Sequence, residues 1–576
     1  MEEYTQEWAE YQRGIDYKRK INLMAEVDRN ERFDRGKQWA GVKSNGLPTP
    51  VFNILKRVRQ FKVASILSSP VKMVYSAEGI SDEAQDPRQI SVKQFAQLLC
   101  KYSETTWERL KQDYLNSKGL KKAYISGDLI SYFYWDDTVS TGQEAQGDIS
   151  EELVDNVNYI PGNPNNVDVQ TQPYIILAFR KMVNEVRAEA KKYKRPTIDI
   201  EKISGDSETQ DQFGDLAKIE LEDSGKTIVL LKLWKENGHV LARKSVKQCI
   251  IRDKWDTGLT RYPVAMMNWE EREGSCHGLS EASEIIPNQI AINQLFAQAI
   301  LSTKMTAFPK VLYDRSRINS WDNAVGAAIG VEGDITNAAD YMQPGQISYD
   351  VYKLIDAVIK YTKEMLGANE TALGDDSITK TASGIIALQK QTQVPLKDIQ
   401  NRFYQYIEDI GLIWLDFWMR MYGARDITIK DNDIAKVVLF SPEEYQDVQF
   451  KLKIDVGPST QWSEVTAIDT LNSLLQQERI TFIQYLQRLP NGIVPKTQEL
   501  IEEIQQQDID KQVLYELMAR YFASLPPNVQ GQLQSLSPEQ MEAQIKQMIM
   551  GGGNIENSAM AQGNNETPAQ VTVPAA

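Results

Sequence analysis

The chain holds 576 residues, 42% hydrophobic and 25% charged, a balance that excludes wholesale disorder and leaves room for several cores. Its 79 Asp and Glu outnumber 64 Lys and Arg, for a formal charge of −15. That argues against a protein that grips a duplex, because neutralising phosphates and releasing counterions supply most nonspecific affinity. Cys100, Cys249 and Cys276 are odd in number and lack CxxC spacing, so neither a disulfide framework nor a zinc site is expected, and a reducing cytoplasm fits.

The chain begins Met1-Glu-Glu-Tyr-Thr-Gln-Glu-Trp8 with no basic segment followed by an apolar run, so no signal peptide is expected. Residues 1–127 read as mainly helical, with candidates at Thr5 to Arg35, Val51 to Ser68 and Ile90 to Ser117. The basic run Lys56, Arg57, Arg59 and Lys62 sits at helical spacing beside Ile54, Leu55, Val58, Phe61 and Val63. The expectation there is a solvated helix face rather than a nucleic-acid contact.

From Asp128 to Trp269 the pattern changes to short runs rich in branched and aromatic residues, bounded by turn formers. Leu129–Trp135, Tyr174–Phe179, Thr227–Trp234, Gln248–Ile251 and Val264–Trp269 are the predicted strands. A helix from Lys181 to Tyr193 interrupts them, and Ser204 to Asp215 reads as a polar loop. This is an α+β region.

Gly278-Leu-Ser opens a helical pattern that runs through Ile300. Phe308 to Ser348 is broken by Pro309, Gly326, Gly330, Gly333, Pro344 and Gly345, and the helical pattern returns at Val351 to Leu366. Two helices therefore bracket a compact insertion. An acidic loop, Gly367 to Lys380, follows, and Thr381-Ala-Ser-Gly384 leads into a long helix. In that helix Ile399, Phe403, Tyr406, Ile410, Trp414, Phe417 and Met421 step by three and four along one apolar stripe. Pro395 predicts a kink or restart. Leu396 to Tyr422 alone would span about 40 Å, and the stripe predicts intrachain packing together with bracing of neighbouring subunits. Glu408, Asp409, Asp416 and Arg420 make it a poor membrane span.

Ile427 to Val456 returns to strand-like runs, Lys436–Phe440 and Val448–Ile454, expected to complete the earlier sheet. Ser463 to Met550 reads as helical and rich in Gln and Glu, with breaks at Pro490–Pro495 and Leu525–Asn528. Gly551 to Ala576 carries few large hydrophobics and is expected to be a disordered tail.

Catalytic motifs are missing from the sequence: it has no GxxxxGK[ST] loop, no HExxH and no GxSxG elbow. His239 and His277 are the only histidines. Cys276 and His277 are sequence neighbours, and a nucleophile and base normally meet through the fold instead. Adjacent acids such as Asp375 and Asp376, or Asp136 and Asp137, could ligate magnesium but are far more often solvated. No catalytic residue, cofactor or metal is expected.

The order helix, insertion, helix, acidic loop, long helix resembles the portal proteins of tailed bacteriophages. Further resemblance lies in Gly36-Lys-Gln-Trp39, in Pro50-Val-Phe-Asn53, and in Gly278-Leu-Ser with Gln289 and Asn293 downstream. Together these cover roughly residues 30–460. The resemblance implies an α+β, predominantly helical portal fold assembled as a ring. Its regions would be a wing over 1–278, stem helices at 279–304 and 348–366 around a clip at 305–347, a tunnel loop at 367–380, and a long wing helix at 381–423. Wing strands at 424–462, a helical crown at 463–550 and the tail at 551–576 complete the assignment.

The implied assembly is a dodecameric ring at one capsid vertex of the virion, built in the host cytoplasm without a membrane, through which double-stranded DNA enters and leaves. Terminase, a head–tail adaptor or tail proteins, the major capsid protein and a scaffold protein are the implied partners. Glu281, Glu284, Lys304, Asp356 and Lys360 are the expected channel residues of the stem. Asn369, Glu370, Asp375, Asp376 and Lys380 are the expected DNA-facing tip of the tunnel loop, and Tyr313, Asp314, Arg315, Arg317 and Trp321 the expected partner-binding residues of the clip. The acidic balance suits a conduit, since a wall without deep cationic wells lets DNA slide; solubility alone would also favour it. Two alternatives stand beside this reading. Another ring-forming virion connector would be shorter and lack this element order, and a metal-dependent nucleic-acid enzyme would need a metal cluster or a phosphate loop.

Overall fold

A residue in the left-handed region divides each of the two longest helical stretches near the N-terminus. Asn22, at φ +59°, separates α1 (Gln6–Lys20) from α2 (Leu23–Asp34), so the single helix expected from Thr5 to Arg35 is two. Asn tolerates this conformation because its short polar side chain interacts locally with the backbone. Following α3 (Ile54–Ile66), Lys111 at φ +55° likewise separates α4 (Pro87–Leu110) from α5 (Gln112–Ser126). Thr5 caps α1 by accepting from Trp8 N, and Asn53 caps α3 by accepting from Lys56 N.

The computed structural model describes residues 4–44, 46–79, 87–140, 146–205, 225–308, 310–322, 324, 327–342, 349–367, 394–431, 434–456, 461–477 and 479–489, with 500, 501, 503, 504, 506, 516 and 530. It is 48% helical and 23% strand, a mixed α and β composition. No helix among the described residues is long and apolar enough to cross a membrane. The chain divides into two units, 1–462 and 463–576.

In the first unit, β4 (Tyr159–Pro161), β5 (Tyr174–Met182), β6 (Lys226–Glu236), β7 (His239–Ser245) and β8 (Ile250–Asp256) form an antiparallel sheet in that order. Successive residues of a strand face opposite ways. Ile228 and Leu230 accordingly pack with Trp8, Tyr11 and Ile15 of α1, while Val229 packs with Val186 and Ala190 of α6 (Val183–Lys192). Covering both faces explains why Ile228–Leu231 is an unbroken apolar run.

A second antiparallel sheet has β2 (Asp128–Asp136) between β3 (Asp148–Val154) and β9 (Val264–Asn268). Across it lies the long helix Lys397–Met421, which follows a short 3-10 turn at Val394–Leu396. That turn carries Pro395, where the sequence predicts a restart. Of the predicted stripe, Phe403, Tyr406, Ile410, Trp414 and Phe417 are buried within this chain, and Ile399 and Met421 border the core half-buried. Tyr406 meets Ser131 of β2 at 2.6 Å between oxygens, and Asp416 accepts from the Thr260 and Arg261 backbone nitrogens at 2.7 and 2.9 Å.

The late strands depart from expectation. β12 (Arg425–Asp431) and β13 (Ile434–Phe440) form their own two-stranded sheet, and β14 (Phe450–Val456) pairs with β1 (Val71–Ala77) rather than with either larger sheet. β1 lies inside the region read as helical. Its alternation of exposed Lys72, Val74 and Ser76 with buried Met73 and Tyr75 is a strand pattern only seven residues long. In the second unit, Tyr485 of the helix Phe482–Arg488 donates to Asn472 Oδ1 at 2.7 Å, and Leu471, Leu486 and Ile501 are buried.

Candidate functional site

Two helices bracket a small β-hairpin, as the insertion pattern predicts. Numbered on in chain order after α7 (Thr197–Glu201), α8 is Glu281–Ala307 and α9 is Tyr349–Met365; they pack together. Between them β10 (Lys310–Tyr313) pairs with β11 (Ala339–Met342) in the register Lys310 to Met342. Glu281 and Glu284 in the first turn of α8 complement its helix dipole.

The root of α8 is held by polar side chains, and here the three short motifs noted in the sequence come together. Gln289 donates to Phe52 O at 2.7 Å and accepts from Ile54 N at 2.9 Å. Asn293 donates to Gln38 Oε1 at 2.5 Å and accepts from Phe52 N at 3.4 Å. Trp39 Nε1 donates to Pro50 O at 2.8 Å, and Asn53 donates to Asp34 O at 2.8 Å. The Phe52 and Phe296 rings lie 4.1 Å apart. Residues 36–39, 50–53 and 289–293 are thus one junction. Backbone groups ahead of α3, which no helix or strand would satisfy, find their partners on α8.

The same end of α8 is tied to α2, α3 and α5. Asn30, buried in α2, has its amide nitrogen 3.0 Å from Ser280 Oγ and 2.8 Å from Ser283 Oγ, while Ser283 donates to Glu26 at 2.5 Å. Ser280 donates to Tyr124 O at 2.8 Å. Glu281 is buried and paired with Lys62, and it also accepts from Trp269 Nε1 at 3.0 Å. This corrects two expectations. Glu281 cannot line a channel, because its carboxylate is spent inside the chain. The basic run on α3 is solvated only at Lys56 and Arg57, whereas Lys62 is buried and Arg59 pairs with Asp34 at 3.1 Å.

Next to the segment that leads into α8, Asp128 at the start of β2 accepts four donors. His277 Nδ1 and Asn156 Nδ2 reach its Oδ2 at 2.8 and 3.2 Å; Gly278 N and Asn268 Nδ2 reach its Oδ1 at 2.7 and 3.1 Å. Lys18 of α1, wholly buried, donates to the carbonyls of Asn156, Val157 and Tyr159 at 2.6, 2.9 and 2.6 Å. Burial pulls the Lys18 ammonium down to about 7 and holds the His277 imidazole below its usual range. Burial also pushes the Cys276 thiol up to about 12, leaving it a poor nucleophile. Neither Asp128 nor Lys18 carries a local signal of its role. Asn30 carried a usable signal, since an amide one turn after Val27 on the buried side of α2 requires partners.

Of the remaining predicted stem residues, Glu284 in the first turn of α8 and Lys304, Asp356 and Lys360 farther along the two helices are exposed. Burial, then Glu270 and Glu281, raise the Glu284 carboxyl. In the hairpin region Tyr313 stacks on Trp321 with ring centres 5.7 Å apart, and Arg317 pairs with Asp314 at 3.4 Å. The Ser316 hydroxyl and backbone N–H hold the Asp314 carboxyl below its usual range, and Arg315 is exposed. Ile318 and Ala338 are buried, but Leu312, Ile335, Tyr341 and Met342 stand in solvent, as do Phe308 on the way in and Tyr352, Leu354, Tyr361 and Met365 along α9. Asn369, Glu370, Asp375, Asp376 and Lys380 lie outside the described residues.

Among the described residues no group of three or more His, Cys, Asp or Glu could hold a metal ion, and the three cysteines are free thiols. The N-terminal end of α8 is anchored by buried polar bonds, and the hairpin and α9 expose apolar side chains. No family model matches the chain, and a search of curated proteins returns no similar sequence.

Proposed function

We propose that this chain is a portal protein, a subunit of a dodecameric ring at one capsid vertex through which double-stranded DNA is packaged and ejected. On this reading α8 and α9 are the stem, the β10–β11 hairpin belongs to the clip that receives terminase and then the head–tail adaptor, and the β body with the helix Lys397–Met421 is the wing. Residues 463–550 are the crown. One observation carries the proposal. The hairpin and α9 expose Leu312, Tyr341, Met342, Tyr352, Leu354, Tyr361 and Met365, although a two-stranded hairpin is at best marginal alone in water. A second copy packed beside the first covers such a surface, and closed cyclic symmetry leaves no copy uncovered. The buried polar root supports the same reading, because it fixes the direction in which the helical pair leaves the body.

Assembly is the first test. Purified protein is expected to form closed rings by mass photometry and negative-stain imaging. Twelve copies at −15 each would total roughly −180, so rings should form more readily as salt screens the repulsion. Monomers alone across protein and salt concentrations would overturn the ring.

Particle packaging separates a conduit from a ring of another kind. Replacing Asp375 and Asp376 with Lys should leave assembly intact, since solvated charges on a tunnel loop of the proposed kind would change stability by about half a kcal/mol. It should shorten the packaged DNA or slow its release, as twelve cationic loops attract phosphates, and the defect should shrink at higher salt. Equal packaging by mutant and wild-type rings at low and high salt would take the loop out of the DNA path.

A further inference from the structure

His277 and its surroundings do something that anchoring alone does not require. The imidazole is fully buried, its Nδ1 is committed to Asp128, and its Nε2 has no hydrogen-bond partner. The neutral tautomer with the proton on Nδ1 fits this pocket. The charged form does not, because the new N–H on Nε2 would have no acceptor in a site closed to water.

The charged and titratable groups facing the ring offer little relief. Asp128 on β2 is the one carboxylate in contact, and four donors already share its two oxygens. Lys18 on α1 and Arg272 on the approach to the 275–278 segment both repel a proton on the ring, and Cys276 is a neutral thiol. Tyr159 of β4 presents its ring edge-on, with centres 6.3 Å apart. The amide nitrogens of Asn156 and Asn268 are already spent on Asp128 and on the Ser126 and Cys276 carbonyls, and the Asn156 Oδ1, also without a partner, makes no bond to the ring.

We propose that the Lys18–Asp128–His277 cluster is an acid-released clasp: protonation of His277 opens the contact between α1, the start of β2 and the segment that leads into α8. The clasp is placed to matter. Asp128 holds Gly278 N, three residues before α8 begins, and Lys18 holds the 156–159 turn against α1. One proton therefore acts on all three elements.

The sign follows from linkage. His277 is held below the ordinary 6.5 in the folded chain, so as pH falls through that value the unfolded or opened form takes up the proton first and is favoured. Lys18 acts in the same sense between about 7 and 10.5, since its opened form also binds more protons there. Glu151, pushed up to about 7 by burial, acts oppositely and gains stability as pH falls toward 4.5. A global melting curve mixes these contributions, so the readout has to be local.

The experiment is hydrogen exchange by mass spectrometry on the full chain at pH 7.5 and pH 5.0, corrected for intrinsic exchange rates. Peptides covering Asp16–Lys20, Gly127–Ser131 and Cys276–Ser283 are expected to open at least about tenfold more at pH 5.0, the equivalent of one pH unit of linkage, while β5 to β7 stay unchanged. In His277→Asn, whose amide can still donate to Asp128 but takes no proton, that acid response should shrink to the small part Lys18 contributes between pH 7.5 and about 7. The slow exchange of the imidazole C2 proton supplies a second reading on unmodified protein, because the chain has two histidines. His277 should exchange far more slowly than exposed His239 and titrate below the ordinary 6.5. An acid response of the same size in His277→Asn, no response in the wild type, or matching C2 exchange at both histidines would each overturn the clasp.

Discussion

Asp128→Ala should destabilise the folded chain by about 3–5 kcal/mol, the range for removing one partner from a buried ionic cluster. The loss comes less from the carboxylate than from what it leaves behind. His277 Nδ1, Gly278 N and the amides of Asn156 and Asn268 would face a void without an acceptor, and Lys18 would lose the one carboxylate that favours its charge. Asp128→Asn should fare little better. All four partners of this carboxylate are donors, so whichever oxygen becomes an NH2 group meets two of them head-on. Urea unfolding at pH 7.5 measures both variants, and the loss should be insensitive to salt because the site is shielded from ions. A drop below about 1 kcal/mol for either would mean that water reaches the cluster and satisfies it.

The elements that could be read from the sequence are those whose signal is local and long. The helix Lys397–Met421 announces itself by a stripe over more than 20 residues, and the pair α8 and α9 by periodicity on both sides of a stretch broken by Gly and Pro. β1 was hidden because seven alternating residues between helices carry little weight until β14, some 380 positions away, supplies the partner. The pairing of β12 with β13 was equally out of reach, since alternation says which side of a strand is buried but not which strand lies next to it.

The site divides in the same way. Gly36-Lys-Gln-Trp39, Pro50-Val-Phe-Asn53, Gln289 and Asn293 stand out as unusual polar residues within apolar patterns, yet their meeting in one junction is a property of the fold. Glu281 shows the opposite error. An acid in the first turn of a helix reads as solvated and dipole-stabilising, and nothing nearby in the sequence reveals that Lys62, 219 positions earlier, is buried against it. Charge in a linear sequence is a poor guide to exposure when the counter-charge is supplied from a distant element.

Gly278→Ala is expected to be among the most damaging single-methyl changes in the described chain, at about 3 kcal/mol or more, the upper range for overpacking a site that cannot yield. A Cβ at this position would sit 2.6 Å from Gly127 O, 2.7 Å from Glu270 O and 2.9 Å from Asn268 Cβ. None of these can step aside cheaply. Gly127 O already accepts from Trp269 N at 2.8 Å, Glu270 O accepts from Leu279 N at 2.8 Å, and the Asn268 side chain is fixed between Asp128 and Cys276 O. A Cβ on Gly127 would likewise sit 2.6 Å from Gly278 O, and Gly127 holds φ +91°, so Gly127→Ala adds backbone strain to the clash. The matched control is Gly258→Ala, where φ is +77° but nothing lies within 4 Å of the added methyl; strain alone should cost about 1 kcal/mol. Denaturant midpoints for the three variants separate the two causes. If Gly278→Ala and Gly258→Ala shift the midpoint equally, the approach of β2 to the segment before α8 is looser than these distances require, and α8 does not owe its direction to that contact.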